Sequence, residues 1–438
     1  MRRCILHFGM PKTGSTSIQA TLLAAGPLRD AVFLNVGIGN SSRLLATLFM
    51  ADPGRFHLNR KWGLDAKALA PQREQALAVL EEQIASAAGR PCLISAEALS
   101  MLEEDTLERL RDWFAQRFDT LEVAGYVRAP RGYMDSEFQQ KIKSGRGQFR
   151  PGLTYPGYAE RFGKLERVFG REQMRYWKFD PASFPGHNVV EDFLQRVGID
   201  IPREQHRRVN ESLGRAGLCL LYIYRRHGPG YGKGKGSVEQ NYRLERELRQ
   251  IPDDPRSRLA DRVALPILAR HQSDIAWMEQ RLGASLAEPL RGEDPQAIAS
   301  EDDLLHPGDA ALDWLARRVD QTYDPSRPPD AAGIAAWVHM LRQRVAPRDP
   351  QGRQIDTSPL VHRRKLQASA ATAPAPVPGA GGWSPVSADA DAGRRAAWSA
   401  VMATIHARLV PGESLQVESL GAFSPAAGAQ RLRFEPEV

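Results

Sequence analysis

Cys4-Ile5-Leu6-His7-Phe8-Gly9-Met10-Pro11-Lys12-Thr13-Gly14-Ser15-Thr16 is the stretch on which the fold turns. Its first five residues form a short apolar run with β-compatible side chains, which reads as a buried strand. Gly9 to Gly14 is a turn rich in glycine and proline. From Ser15 to about Ala25 the chain has the composition of a helix. A strand, a glycine-bearing turn and a helix in that order make an anion site. The first N–H groups of a helix lack partners and carry partial positive charge. Gly14 allows close backbone approach, Lys12 adds a point charge, and Thr13, Ser15 and Thr16 add hydroxyl donors. An ordinary turn capped by Ser and Thr is the competing reading. The loop is not a Walker A motif, because there the lysine directly follows the last glycine; here Lys12 precedes Gly14 by two residues.

The pattern continues outward from this loop. Residues 73–89 have helical periodicity, with Gly89 as a C-cap. Cys92 to Ser95 reads as a strand, 104–118 as an amphipathic helix, and Leu121 to Val127 as a strand. Arg131 to Lys143 reads as a helix, Met174 to Phe179 as a strand, and Val189 to Val197 as a helix closing at Gly198. Strands alternating with helices predict an α/β fold: a mostly parallel sheet with helices on both faces, and with ligands at the carboxyl ends of the strands. Past residue 215 the pattern turns helical, with helices at Leu218 to Tyr224, Arg243 to Gln250, Asp261 to Leu282, 309–319 and 331–344, and a basic glycine-rich loop at 228–237. The predicted organisation is a main domain over 1–290, a helical extension over 291–346, a Pro/Ala/Gly-rich linker over 347–390, and a last helix (391–409) and tail up to 438.

Composition narrows the class. The chain has 438 residues, 42% hydrophobic and 25% charged, enough for a self-sufficient core. Three widely spaced cysteines, Cys4, Cys92 and Cys219, give neither a zinc pattern nor a disulfide framework, and no metal is expected. The net charge of +7 is spread along the chain, which suits an anionic small ligand better than nucleic acid. No apolar run approaches the ~20 residues of a membrane span, and Met1-Arg2-Arg3 leads straight into the first strand rather than a signal peptide. The expectation is a cytoplasmic protein.

The order Pro-Lys-x-Gly-Ser/Thr-Thr in Pro11 to Thr16 resembles the 5′-phosphosulfate loop of sulfotransferases that use 3′-phosphoadenosine 5′-phosphosulfate (PAPS) as donor. A second segment, Tyr126-Val127-Arg128-Ala129-Pro130 running on to Ser136, carries the same resemblance: the family binds the donor's 3′-phosphate with an arginine at a strand end and a serine eight residues later. Arg128 and Ser136 have that spacing. Pro130 ends the strand and opens a helix, Ser136 lies about one and a half turns in, and a guanidinium suits phosphate through its planar fork. The alternative for Arg128 is a surface ion pair. The resemblance covers about residues 1–290 and implies the P-loop-like three-layer α/β fold with a central, mostly parallel sheet, and sulfuryl transfer from PAPS to an acceptor hydroxyl by in-line displacement.

At the second strand end, cytosolic family members have a catalytic histidine, whereas several carbohydrate sulfotransferases and bacterial relatives use a glutamate. Glu97 occupies this place and is the candidate base, with Lys12 stabilising the leaving oxygen. Its other reading is a helix N-terminal carboxylate favoured by the dipole. His7, inside the first strand, reads better as a core histidine; His57 is a rival base. Weaker candidates are Tyr176 and Phe179 beside adenine, Lys141, Lys143 and Arg146 at an acidic acceptor, Asn210 and Ser212 as caps, and Lys233 and Lys235 as a gate. The family acts on saccharides, lipids and small hydroxyl compounds, and the glutamate base together with the bacterial-looking motifs tilts the acceptor toward a saccharide. A P-loop kinase or NTPase, and a non-catalytic nucleotide-binding protein of the same fold, are the alternatives. The kinase lacks its Walker lysine and Mg²⁺-binding acidic strand end here.

Overall fold

The computed structural model describes residues 2–10, 12–145, 147–208, 212–229 and 237–346, together with three strands at 415–417, 421–425 and 432–435. Pro11, Arg146, Asn210, Lys233, Lys235, the 347–390 linker and the 391–409 helix lie outside the described residues.

The apolar run at the start forms β1 (Arg3–His7), and α1 (Ser15–Ala24) follows the loop. Then come β2 (Val32–Phe33), α2 (Ser42–Phe49), α3 (His57–Lys61), α4 (Ala66–Ser86) and β3 (Cys92–Ser95). The next elements are α5 (Glu104–Ala115), β4 (Thr120–Arg128), α6 (Pro130–Lys143), α7 (Tyr158–Phe169), β5 (Met174–Phe179) and α8 (Val189–Val197). The five strands make one sheet in the order β2-β3-β1-β4-β5, every pair parallel. β1 lies at its centre, so the loop leaving β1 opens between the ends of β3 and β4.

The sheet is buried on both faces, because successive strand side chains point to opposite sides. Cys4, Leu6, Phe8, Cys92, Ile94, Val123 and Val127 pack on one face against Leu45, Leu80, Leu110, Phe114 and Phe162 from α2, α4, α5 and α7. Ile5, Leu93, Ala124 and Tyr126 pack on the other against Ile18 and Leu22 of α1 and Phe193 and Leu194 of α8. This is the expected three-layer α/β architecture. Cys4, Cys92 and Cys219 are free thiols, all buried.

Beyond the sheet, α9 (Arg215–His227), α10 (Ser237–Leu248), α11 (Asp261–Arg270), α12 (Gln272–Leu282), α13 (Asp309–Arg318) and α14 (Ala331–Arg344) follow. A second core joins Met134, Phe138 and Ile142 of α6 to Leu221, Leu248, Leu315 and Val338. α6 thus belongs to both parts: one face meets this helical core, and another meets the β1 loop. Three strands of the tail, β6 (Leu415–Val417), β7 (Gly421–Pro425) and β8 (Leu432–Glu435), form an antiparallel sheet within a separate compact unit, Ala375–Val438.

The structure departs from the expected elements at several points. The helix expected over 73–89 begins at Ala66, where Asp65 caps it by accepting from the Ala68 N–H at 2.8 Å, and it runs through Pro71. The single helix expected over Asp261 to Leu282 is broken at His271, whose ring stacks on Tyr155 at 3.8 Å. The break places Asp274 at the start of α7, where it accepts from the Tyr158 and Ala159 N–H groups at 2.8 and 2.7 Å. The tail, with no element expected beyond the helix over 391–409, contains the three strands. β2, α2, α3 and α7 are additional to the expected elements, although Tyr158, Phe162, Leu165 and Phe169 of α7 recur at helical spacing.

Candidate active site

Three features shape the loop between β1 and α1. Gly14 adopts the left-handed conformation (φ 78°), and a Cβ there would lie 2.6 Å from Val189 Cγ1 of α8. Only glycine meets both demands. Thr13 is buried, and its hydroxyl donates to the Met10 carbonyl at 2.7 Å. It therefore holds the turn closed. The Gly14 carbonyl accepts from the Ser17 N–H at 2.9 Å, the first bond of α1. Ser15 and Thr16 then form the opening turn, where N–H groups have no partner within the helix. Ser15 is buried and Thr16 half-exposed.

Lys12 also has positive φ, 71°. This is uncommon and strained for a side chain other than glycine, asparagine or aspartate. A backbone contact holds it, its carbonyl accepting from Arg128 Nη1 at 2.8 Å; the ammonium reaches out to donate to Gln140 Oε1 at 2.7 Å. Burial pulls the ammonium below its ordinary range, opposed by the nearby carboxylates of Glu97, Glu137 and Glu245. A phosphate beside it would restore the cation's stability.

Arg128 and Ser136 meet directly: Nη1 donates to Ser136 Oγ at 2.8 Å, and the same nitrogen reaches the Lys12 carbonyl. The two segments expected to grip one nucleotide are therefore neighbours, joined through one guanidinium. Burial pulls Arg128 down to about 10, with Arg256 pushing the same way and Asp135 and Glu288 opposing. A cation short of counter-charge in a partly dry site is what an anionic ligand would stabilise. The guanidinium also lies 5.5 Å from the centre of the Phe179 ring. Gly132, Ser136 and Gln140 recur every four residues on α6, so one stripe of the helix faces Lys12 and Arg128.

Glu97 opens a 3₁₀ turn, Glu97–Met101, directly after β3. A Cβ on Gly9 would overlap Ser15 Oγ and lie 2.9 Å from Glu97 Cγ. Glycine at 9 thus lets the Glu97 stem rest against the loop, and Lys12 feels its charge.

The remaining sequence candidates fall elsewhere. His7 is fully buried against Phe193 (4.7 Å between ring centres), with Nδ1 2.7 Å from Ser95 Oγ, which also accepts from Gln19 Nε2 at 3.0 Å. Burial holds it neutral, with its pKa lowered to about 3. It is a core residue beneath the loop. His57 opens α3, exposed, its ring against Phe56. Tyr176 packs among Phe8 and Phe162 and donates to Glu166 at 3.0 Å. Lys141 pairs with Glu137 at 3.2 Å; Lys143 lies 3.9 Å from Glu245, and burial lowers it to about 8. Ser212 is exposed, three residues before α9. Among the described residues, no group of three His, Cys, Asp or Glu could hold a metal ion, and no helix is long and apolar enough to cross a membrane.

The state of His7 predicts a pH dependence. It is neutral in the fold but takes a proton in the unfolded chain below about 6.5. Its contribution to stability is complete above that value and declines as pH falls toward about 3. The slope from this one group approaches ~1.4 kcal/mol per pH unit. Denaturant midpoints across this window are expected to fall less steeply for His7→Gln than for wild type; parallel curves would contradict the assignment.

Sequence reasoning missed Glu137, Gln140, Glu245 and Glu288. Gln140 was discoverable, four residues beyond Ser136 on the same helix. Glu245 and Glu288 arrive from α10 and from the segment after α12, and no local pattern marks them.

No family model matches the chain. An uncharacterised protein of Archaeoglobus fulgidus is 24% identical over 135 residues, 30% of this chain and 37% of that protein's length. Among solved structures, a sulfotransferase from Alicyclobacillus acidocaldarius aligns with 54% of this chain and 93% of its own, at 14% identity and a TM-score of 0.33. A sulfotransferase domain from the curacin biosynthetic pathway aligns with 49% of this chain and 81% of its own (15% identity, TM-score 0.28). One from the Synechococcus PCC 7002 olefin synthase aligns with 48% and 78% (13% identity, TM-score 0.31). Likeness at this level decides neither fold nor chemistry, which rest on the geometry above.

Proposed function

We propose that this protein transfers a sulfuryl group from PAPS to an acceptor hydroxyl. The observation that carries the reading is the Arg128 guanidinium, bonded at 2.8 Å to both the Lys12 carbonyl and Ser136. That contact joins the β1 loop to the α6 segment, which supports the reading that one doubly phosphorylated nucleotide bridges both. Lys12, Gly14, Ser15 and Thr16, with Thr13 shaping the turn, receive the 5′-phosphosulfate at the α1 N-terminus. Arg128 and Ser136 receive the 3′-phosphate, a group that ATP lacks. This sets the donor apart from a kinase's.

In the displacement, the acceptor oxygen forms a bond to sulfur as the bond from sulfur to the 5′-phosphate oxygen breaks. The acceptor proton passes to the Glu97 carboxylate, and adenosine 3′,5′-bisphosphate leaves with the electron pair. Lys12 and the helix N–H groups are placed to stabilise that leaving oxygen. Glu97 rests against the same loop, as a base at the strand mouth should. The acceptor is read as a saccharide hydroxyl on the glutamate base and the bacterial-looking motifs, and the reaction as metal-independent and cytoplasmic.

The test is transfer from sulfur-labelled PAPS to a panel of glycans and small alcohols. Glu97→Gln is expected to lower turnover by about a hundredfold or more with adenosine 3′,5′-bisphosphate binding unchanged. Unaltered turnover would remove Glu97 from the role of base. Stabilisation of the fold by ATP but not by the bisphosphate would overturn the donor assignment.

A further inference from the structure

The second anchor already has an anion at its rim. Glu288, from the segment after α12, accepts from the Arg131 N–H at 2.9 Å and from the Gly132 N–H at 3.1 and 3.2 Å. These N–H groups open α6, beside Arg128. A Cβ on Gly132 would lie 3.1 Å from Glu288 Oε1 and 3.3 Å from Arg128 Nε, so carboxylate and guanidinium flank a single small space. Arg128 registers the Glu288 charge.

The segment bearing Glu288 is built to be held rather than packed. Residues 285–294 form neither helix nor strand, and Gly283 and Gly292 at its ends both have positive φ, 67° and 71°. Leu286 is buried at one end, whereas Leu290 is 73% exposed. Between them the attachments are polar. Arg131 donates to the Pro289 carbonyl, the Arg291 N–H to Asp261 at 2.8 Å, and the Arg291 guanidinium to Asp135 at 2.6 Å. Asp135 precedes Ser136, so the contacts to Arg131, Gly132 and Asp135 border the anchor, while the Leu286 N–H donates to Glu279 at 2.6 Å and Arg291 to the Leu259 carbonyl at 3.2 Å.

We propose that Glu288 is an internal anion which the donor's 3′-phosphate must displace, making residues 285–291 a latch that selects the doubly phosphorylated nucleotide. The inference rests on the donor reading above. A phosphate on the Arg128 guanidinium would face the Glu288 carboxylate across the space at Gly132, and like charges so close in a partly buried site repel strongly. The phosphate supplies acceptor oxygens for the two α6 N–H groups, so releasing Glu288 leaves no donor unsatisfied. A nucleotide with a 5′-phosphate alone engages only the β1 loop and leaves the latch closed.

Calorimetric titration of the full chain with adenosine 3′,5′-bisphosphate and with adenosine 5′-phosphate tests this. Glu288→Gln keeps an acceptor for the α6 N–H groups but removes the charge. It is expected to bind the bisphosphate about tenfold more tightly, with the monophosphate unchanged. Weaker binding, a change below about threefold, or an equal gain for both nucleotides would leave Glu288 as a helix cap only and overturn the latch. Wild type supplies a second measurement if the variant folds poorly. Amide exchange over 285–291 is expected to speed up on adding the bisphosphate and not the monophosphate; slower exchange overturns the latch. If wild type binds neither nucleotide, the donor reading itself fails, and the latch with it.

Discussion

Lys12→Ala is expected to lower sulfuryl transfer about a thousandfold while leaving the fold as stable as wild type. The loss follows from position. The ammonium is held half-buried over the loop by Gln140, so its charge acts where water screens it least. A preorganised donor aimed at a leaving oxygen contributes on the order of a hundred- to thousandfold. Stability is spared because the strain at residue 12 lies in its backbone (φ 71°), which alanine inherits. Lys12→Gly separates the two effects. It should be as inactive as Lys12→Ala yet more stable by about 1 kcal/mol, because glycine takes left-handed φ without strain. Kinetics with labelled donor and denaturant melts of both variants check this. Retention of a tenth of wild-type turnover by Lys12→Ala would remove the lysine from the chemistry.

Arg128→Ala is expected to weaken adenosine 3′,5′-bisphosphate binding about a hundredfold, roughly 2.7 kcal/mol. Adenosine 5′-phosphate should weaken by less than about threefold. The asymmetry is informative because Arg128 has two tasks. It presents charge and donors at Ser136, and it ties down the Lys12 carbonyl. If the second task dominated, both nucleotides would lose affinity together, since a slack loop weakens the 5′ site as well. Arg128→Lys should keep the charge but restore only part of the affinity, because an ammonium is a point charge without the planar fork that grips a phosphate through two donors. Titration of both nucleotides against wild type and the two variants resolves the tasks.

The parts of the site readable in the sequence are those whose constraint is local. The β1 loop announces itself because a strand, a left-handed glycine and a helix N-terminus are consecutive, and Gly14 answers a backbone requirement within its own turn. Arg128 and Ser136 stand out through the family resemblance, whose eight-residue spacing here spans a strand end and a helix, with Pro130 at the joint. His7 reads as a core residue for the same reason: the two-residue period of β1 puts it on a packed face, beside Ser95 and Phe193.

What the sequence by itself determined was the alternation of strands and helices, the parallel sheet that follows from it, and the loop and strand end that bear the charge. Each depends on residues a few positions apart, whose periodicity is written in the chain. Only the tertiary structure decided what surrounds that charge. It brought Gln140 and Glu245 to Lys12 and laid Glu288 on the first turn of α6 from more than 150 residues away. It also broke the long helix at His271, so that Asp274 could cap α7. Such contacts join segments that no local period relates, and the packing of α6 between sheet and helical core is what sets them.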